Sequence, residues 1–203
     1  TTEIYTFPYT TLFRSRSHGL YRKEGEERQP EDFYATDPAA LPPLLKVLGP
    51  EWEQGGKFIL EPCCGQGHLS QIMELYGHQV ISTDLVDRGY GVGGVDFLQP
   101  TPYDGLPFDA IITNPPYKYA LQFIEKSLKI APLVCMLLRI QFIESEGRNK
   151  LYEENPPRYV AVFKKRVNCS KNAVFPKKES SPVCYAWFIW ERGYKGNPEL
   201  LRI

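Results

Sequence analysis

The sequence predicts an α/β fold built on a mostly parallel sheet, with helices on both faces. Residues 57–62 form a short apolar run that leads into a glycine turn, a helical pattern over 69–76 and a second apolar run over 80–83. Strand, glycine turn, helix and strand in this order form a βαβ unit of the kind that binds nucleotides. The continuous apolar run over 133–138 fits a strand that is buried on both faces, as in parallel sheets.

Composition fits one globular domain. The chain has 203 residues, of which 42% are hydrophobic, and a formal net charge of zero. It contains no run of about eighteen apolar residues and no secretory signal pattern, which argues against a membrane-spanning or secreted protein. The five cysteines are scattered, without CxxC pairs or zinc-like spacing to histidine. We therefore expect reduced thiols, no metal site and a cytoplasmic location.

The first part of the chain differs from the rest. Residues 1–15 lack helical periodicity and resemble the translation of a sequencing-library adapter, and residues 16–32 are dense in charge with little to bury. We expect residues 1–31 to be an adapter-like and disordered lead-in, and residues 32–203 to be a single domain. The alternative is a genuine extended N-terminal arm.

Other elements follow from caps and periodicity. Asp37 before Pro38 predicts a helix start, with the helix ending near Leu48. A helix is predicted over 120–128, and an antiparallel pair of strands over 159–163 and 183–190. Four aromatic residues of the last strand are expected in the core rather than on a binding surface. They are Tyr185, Trp187, Phe188 and Trp190.

A further strand-like segment, 108–113, ends abruptly in Asn114-Pro115-Pro116-Tyr117. Consecutive prolines fix two φ angles and remove two backbone donors, so the chain leaves the sheet along one rigid path. This path places the Asn114 amide, the adjacent backbone carbonyls and the Tyr117 ring side by side. Acceptors directed at one point beneath an aromatic face suit a planar ligand that carries an NH₂ group.

The run Asn114–Tyr117 resembles the Asn-Pro-Pro-Tyr motif of S-adenosylmethionine-dependent amino methyltransferases. The run Glu61-Pro-Cys-Cys-Gly65-Gln-Gly67 resembles the first motif of class I methyltransferases, and Asp84 follows the second strand, where a carboxylate can hold two ribose hydroxyls. By itself, the GxG turn leaves NAD binding open, whereas its combination with Asp84 and the Asn-Pro-Pro-Tyr run favours a methyltransferase. Residues 33–38 resemble the Phe/Tyr-x-Thr-Pro motif of DNA adenine methyltransferases, with Asp37 inserted before the proline; a plain helix cap is the alternative.

The resemblance implies a Rossmann-like class I methyltransferase with a mostly parallel seven-stranded sheet and an antiparallel edge strand. It implies S-adenosylmethionine as cofactor, and catalysis by Asn114, Pro115, Pro116 and Tyr117. Asp96 and Phe97 would meet the adenine of the cofactor, the alternative being a short strand with an exposed aspartate. The residues that the resemblance assigns to the cofactor are Tyr34, Thr36, Glu61, Cys63, Gly65, Gly67, Asp84, Asp96, Phe97 and Asn114.

A basic segment points to nucleic acid, with DNA favoured. Between residues 158 and 178 there are seven basic residues and no acidic one. Such a loop can contact phosphates, although a solvated basic loop without a partner is the alternative. The predicted contact residues are Lys164, Lys165, Arg166, Lys171, Lys177 and Lys178.

These observations favour a DNA adenine-N6 methyltransferase in which Tyr117 stacks on a flipped base. Methylation of RNA bases or of a protein glutamine is the alternative among enzymes, because those families share Asn-Pro-Pro-Tyr. A non-catalytic nucleic-acid-binding module that retains the fold is the alternative from another class. One departure concerns the target-recognition region of DNA adenine methyltransferases, for which only the short segment after Arg139 leaves room.

Overall fold

The computed structural model describes residues 34–170, 175 and 183–203. Its strands are β1 (Ala35–Thr36), β2 (Phe58–Glu61), β3 (Gln79–Ser82), β4 (Ala110–Thr113), β5 (Leu133–Arg139), β6 (Tyr159–Val162), β7 (Cys169–Ser170), β8 (Tyr185–Glu191) and β9 (Glu199–Arg202). Its α-helices are α1 (Leu41–Leu48), α2 (Pro50–Glu53), α3 (His68–Leu75), α4 (Ala120–Ile130) and α5 (Asn149–Glu154). Seven strands form one sheet in the order β3-β2-β4-β5-β8-β6-β9, and β1 and β7 form a separate ribbon.

The parallel half of the sheet supports the predicted site. β2 pairs in parallel with β3 and with β4, and β4 pairs in parallel with β5. All four residues of β4 and the first six residues of β5 are buried. Burial on both faces explains why these segments are apolar runs rather than alternating patterns. The carboxyl ends of β2, β3 and β4 lie at the edge where open α/β sheets bind ligands.

The predicted mostly parallel seven-stranded sheet is confirmed. β8 is the antiparallel strand, pairing with β5 on one side and with β6 on the other. It therefore lies inside the sheet rather than at its border, and β9 forms the border by pairing in parallel with β6. The antiparallel pair predicted from the C-terminal apolar segments corresponds to β6 and β8.

Residues 95–98, for which a short strand was the alternative interpretation, form a loop. Asp96 Oδ1 accepts a hydrogen bond from the Leu98 N–H at 3.0 Å, and this turn bends the chain away from an extended path. Phe97 is buried because its ring contacts the ring of Phe123, with centroids 5.0 Å apart, and not because it lies in a ladder. The seventh strand of the sheet is β9, which the sequence did not predict.

Helices cover both faces of the sheet, as predicted. Alternate residues of β5 enter two different apolar clusters, because successive side chains of a strand point to opposite faces. On one face the cluster includes Leu41 and Leu45 of α1 and Met73 of α3. On the other face it includes Phe123 and Ile124 of α4.

The predicted helix start at Asp37 and the predicted aromatic core are both confirmed. Asp37 Oδ1 accepts from the Ala39 N–H at 2.9 Å and caps a short 3₁₀ turn that runs into α1. The prolines of α1 lie in its first turn, where a missing N–H has no helical acceptor to lose. Trp187 is fully buried and its Nε1–H donates to the carbonyl of Ala40 at 2.9 Å, which ties β8 to the start of α1. The buried aromatic residues of β8 are Tyr185, Trp187, Phe188 and Trp190.

Three further observations bear on the sequence-based expectations. None of the helices in the described ranges combines the length and the apolar character needed to cross a bilayer. The five cysteines are all free thiols. Residues 1–33, which contain the adapter-like stretch and the charge-dense lead-in, lie outside the described residues.

Candidate functional site

A tight turn joins β2 to α3 and places two glycines at the carboxyl edge of the sheet. Gly65 has a φ of 55° and Gly67 a φ of 81°, in the left-handed region that side chains disfavour. The Gly65 N–H donates to Asp84 Oδ2 at 2.8 Å. The space beside Gly67 is taken by the ring of Tyr90, since a Cβ on this glycine would lie 2.5 Å from ring atoms. The turn thus needs its second glycine for packing as well as for conformation.

The variant Gly67→Ala should lower the free energy of unfolding by about 2–3 kcal/mol, because left-handed strain and a displaced Tyr90 ring both contribute. Gly56 offers a matched control, since its φ is 79° and a Cβ added to it would have no neighbour within 4 Å. Gly56→Ala should cost about 1 kcal/mol, the strain alone. Urea unfolding of both variants measures the difference. Equal losses would contradict the packing role assigned to Tyr90.

Asp84, just beyond β3, fastens this turn to the neighbouring loop. Its Oδ2 accepts from Gly65, and its Oδ1 accepts from the Val86 N–H at 3.0 Å. The side chain is buried at 9% exposure. Each carboxylate oxygen has a second lone pair, so the group keeps acceptor capacity for ligand hydroxyls after both backbone contacts are made.

Glu61, the last residue of β2, lies in a buried polar cluster. The Ser70 hydroxyl donates to Glu61 Oε2, and Ser70 Oγ is 2.6 Å from Ser82 Oγ. Burial raises the pKa of Glu61 from 4.5 to about 8, although the hydrogen bonds from Ser70 oppose this rise. The neutral carboxylic acid therefore predominates at pH 7. In this form Glu61 can donate as well as accept a hydrogen bond.

The free energy of unfolding should depend on pH through the titration of Glu61. Because the native state raises this pKa from 4.5 to about 8, the stabilising contribution is full below about pH 4.5 and is lost as the pH rises through about 8. Between pH 6 and pH 9 the wild type should lose more unfolding free energy than Glu61→Gln, by at most about 1.4 kcal/mol per pH unit. Denaturant unfolding across this range measures the slopes. Glu125→Gln on the exposed surface of α4 is the control, and parallel profiles for Glu61→Gln and wild type would contradict the assignment.

Asn114 directly follows β4, and its side-chain amide is anchored at one end only. Nδ2 donates to Thr36 Oγ1 at 2.9 Å and lies 3.8 Å from Cys169 Sγ. Thr36 and Cys169 are register partners in the β1–β7 ribbon. Oδ1 is buried and has no hydrogen-bond partner among the described residues. A buried acceptor left unpaired costs about 1–3 kcal/mol, and such an atom is typical of a position kept for a ligand.

Tyr117 is half-buried and is held by two neighbours. The guanidinium carbon of Arg139 lies 4.8 Å from the centroid of its ring, and the ring of Tyr185 lies 6.1 Å away. Burial raises the pKa of Tyr117 well above its ordinary value, so the phenol is neutral. The role of Arg139 was not predicted from the sequence. Stacking of Tyr117 on a planar ligand stays a prediction.

These groups surround one cavity of about 560 Å³, within the size range of small-molecule sites. All the predicted site residues line it except Gly67, whose contact is with Tyr90. The predicted residues on its wall are Tyr34, Thr36, Glu61, Cys63, Gly65, Asp84, Asp96, Phe97, Asn114, Pro115, Pro116 and Tyr117.

No protein-family model and no curated protein matches the sequence. Solved structures do match. The methyltransferase subunit of a type I restriction-modification system from Streptococcus thermophilus has a TM-score of 0.62 and 15% identity, over 84% of this chain and 47% of that subunit. A Pyrococcus horikoshii protein provisionally assigned as an RNA methyltransferase has a TM-score of 0.55 and 15% identity, over 75% of this chain and 83% of that one. The chain has the class I methyltransferase fold.

A third structure with this fold is the magnesium protoporphyrin IX methyltransferase of Synechocystis PCC 6803, solved with bound S-adenosylmethionine. It has a TM-score of 0.51 and 14% identity, over 77% of this chain and 79% of that one. By contrast, this chain spans about half the length of the restriction-modification subunit, as the 47% coverage shows. The class I methyltransferase fold is therefore present here within a chain shorter than that subunit.

Two residues on the wall of the cavity were missed. Lys118 and Tyr119 follow Tyr117 in a 3₁₀ turn and line the cavity. The Tyr119 side chain is 42% exposed, and Lys118 Nζ lies 5.1 Å from its ring centroid. The sequence does show an aromatic residue two positions after the motif, and this was the available signal for the site. It was not sufficient, because only the short turn before α4 brings this residue to the cavity. The other wall residues that were not assigned to the site are Ala35, Pro62, Cys64, Gln66, His68, Leu69, Leu85, Arg88, Val95, Leu98, Gln99 and Phe123.

The basic segment lies partly within the described residues. Lys164, Lys165 and Arg166 are exposed. The segment continues into β7, which pairs with β1, and the Asp37 N–H donates to the Asn168 carbonyl at 3.0 Å. This pairing brings the chain that follows the exposed basic residues next to the cavity wall. The predicted contact residues Lys171, Lys177 and Lys178 lie outside the described residues.

Proposed function

We propose that this protein is an S-adenosylmethionine-dependent N-methyltransferase that modifies an exocyclic amino group, with adenine N6 of DNA as its acceptor. The observation that carries this proposal is the Asn114 amide. Its nitrogen is anchored to Thr36, whereas its oxygen is buried, unpaired among the described residues and part of a residue that lines the cavity. An acceptor presented in this way suits an N–H donor on the ligand.

The cavity fits the proposed cofactor. Gly65 lets the backbone approach a ligand closely, and Asp84 keeps lone pairs for the hydroxyls of a ribose. Phe97 offers a buried flat ring beside Asp96, which suits an adenine with its amino group. When bound, the cofactor supplies an electrophilic methyl group on a sulfonium. Glu61 contributes a neutral polar group at the end of β2.

The Asn-Pro-Pro-Tyr loop would orient the acceptor. The lone pair of an exocyclic amine is delocalised into the ring, so the nitrogen is a poor nucleophile. Asn114 Oδ1 and the Pro115 carbonyl would accept its two N–H bonds and direct the lone pair toward the methyl donor. Tyr117 and Tyr119 offer aromatic rings on which a flipped base can stack. The site requires no general base with an adjusted pKa.

Nucleic acid as the substrate is supported by two observations. Lys164, Lys165 and Arg166 are exposed on the segment that leads into β7, and Lys118 lines the cavity. Cations in these positions can contact the phosphates beside a base that enters the site. The solved structures that share the fold include proteins described as restriction-modification and RNA methyltransferases.

The test is a methylation assay on several acceptors. The protein is incubated with S-adenosylmethionine and with unmodified DNA, RNA or a release-factor-like protein, and each product is digested and examined by mass spectrometry. N6-methyladenine in DNA is the expected product. If the product is methylated RNA or N-methylglutamine, the proposed acceptor changes and the proposed methyl-transfer reaction stands. The RNA arm is motivated by the Pyrococcus horikoshii structure. Absence of methyl transfer to every acceptor would contradict the proposal.

Calorimetry separates the enzyme from a non-catalytic binding module. We expect S-adenosylmethionine to bind to the isolated protein, because the turn at Gly65 and the carboxylate of Asp84 are both in place. A protein that binds DNA but not the cofactor would instead be a module that retains only the fold.

A further inference from the structure

Thr36 contacts the group on which the proposed function depends. Its Oγ1 accepts from Asn114 Nδ2 at 2.9 Å, across 78 residues of sequence, and Thr36 itself is 5% exposed. The resemblance to DNA adenine methyltransferases assigned Thr36 to the cofactor. We propose instead that Thr36 is a positioning residue that orients the Asn114 amide for catalysis, an inference that rests on the proposed function.

The need for such a residue follows from the shape of an amide. The oxygen and the NH₂ group of asparagine are nearly equal in size, so packing alone does not decide which one faces the cavity. A half-turn of the Asn114 amide would present two N–H donors to an amino group that also donates. Catalysis by an acceptor therefore requires a neighbour that holds the amide against this rotation.

The anchored end of Asn114 meets two acceptors. Nδ2 carries two N–H bonds, with Thr36 Oγ1 at 2.9 Å and Cys169 Sγ at 3.8 Å, while Oδ1 has no partner in the described part of the chain. Reversal of the amide would break both N–H contacts, and the Thr36 hydroxyl would then donate to Oδ1 instead of accepting from Nδ2. Thiols are weak acceptors, so Thr36 makes the larger contribution.

The ribbon holds Thr36 in place. Thr36 pairs with Cys169 in the antiparallel β1–β7 ladder, and the Asp37 N–H donates to the Asn168 carbonyl at 3.0 Å. Threonine is β-branched and has few χ1 rotamers, so a fixed backbone also fixes the direction of Oγ1. The inserted Asp37 both extends this ribbon and caps the following turn. The positioning contact is therefore built from two segments outside the main sheet.

The variant Thr36→Val keeps the shape of the side chain and removes the hydroxyl. We expect kcat to fall by about 10- to 100-fold, since misplacement of a catalytic group by about 1 Å has effects of this size. The dissociation constant for S-adenosylmethionine, measured by calorimetry, should stay within about twofold of the wild type. Thr36→Ser, which restores an Oγ, should return most of the lost kcat. Unchanged kcat, or a cofactor affinity that falls in parallel with kcat/KM, would overturn the proposal.

A readout that is independent of catalysis tests the same contact. The side-chain NH₂ signal of Asn114 is assigned by NMR through its loss in Asn114→Asp. Its protons should exchange slowly in the wild type and in Thr36→Ser, and faster in Thr36→Val. Equal exchange in all three proteins overturns the proposal even when no acceptor is methylated. A wild type that methylates nothing but shows the expected exchange pattern contradicts the proposed function and supports the anchoring by Thr36.

Discussion

The variant Asn114→Ala is expected to lower the rate of methyl transfer by about 100-fold or more while leaving cofactor affinity within a few-fold of the wild type. Removal of one preorganised hydrogen-bonding group at a reacting centre commonly has an effect of about 100- to 1,000-fold. The oxygen of Asn114 is buried without a partner in the described residues, so its removal should not be compensated by a neighbouring group. Single-turnover rates with radiolabelled cofactor measure the loss.

Two further variants define the origin of this loss. Asn114→Asp keeps an acceptor oxygen but loses the N–H contact with Thr36, so an intermediate rate is expected. Asn149→Ala, which replaces an asparagine at the start of α5, controls for the loss of an amide elsewhere and should leave the rate unchanged. A rate for Asn114→Ala within a few-fold of the wild type would contradict the role of this amide in catalysis.

The variant Trp187→Ala should lower the free energy of unfolding by about 3–5 kcal/mol. Trp187 is fully buried in the cluster that joins α1 and α3 to the sheet, and its indole N–H donates to the Ala40 carbonyl. The substitution removes a large apolar volume and leaves that carbonyl without its donor. For a chain of this size the midpoint of thermal unfolding should fall by about 10 °C. Denaturant titration followed by circular dichroism measures the change.

Controls separate the two contributions of Trp187. Trp187→Phe keeps most of the apolar contact and loses the hydrogen bond, so its cost should be about 1–2 kcal/mol. Leu75 is 80% exposed at the end of α3, and Leu75→Ala should change stability by less than about 0.5 kcal/mol. A loss of less than about 1 kcal/mol in Trp187→Ala would contradict the central position of this ring in the core.

Local patterns were sufficient to predict the parts of the fold that depend on local physics. The βαβ unit was predictable because apolar spacing changes at the glycine turn, and β5 because six consecutive buried residues leave no alternation. The Asn-Pro-Pro-Tyr loop was predictable because consecutive prolines restrict the backbone regardless of context. The aromatic residues of β8 were assigned to the core because large rings on a strand usually pack against neighbours.

Contacts that depend on distant pairing were not predictable. The strand β9 has a largely exposed pattern, so no hydrophobic periodicity marks it. The burial of Phe97 comes from contact with Phe123 on a later helix. The anchor for Asn114 comes from Thr36 and Cys169, which are 78 and 55 residues away along the chain. A single sequence carries no signal for the contact of Phe97 with Phe123 or for the contacts of Asn114 with Thr36 and Cys169.

The β1–β7 ribbon has a consequence for the order of folding. Its two strands come from distant parts of the described chain and lie outside the main sheet. Each is two residues long, so the pairing contributes few contacts while closing a very long loop. Such a pairing is expected to form after the sheet and helices have assembled. A full-length chain whose sheet has assembled but whose ribbon has not yet paired would therefore hold a formed cavity in which the Asn114 amide still rotates freely.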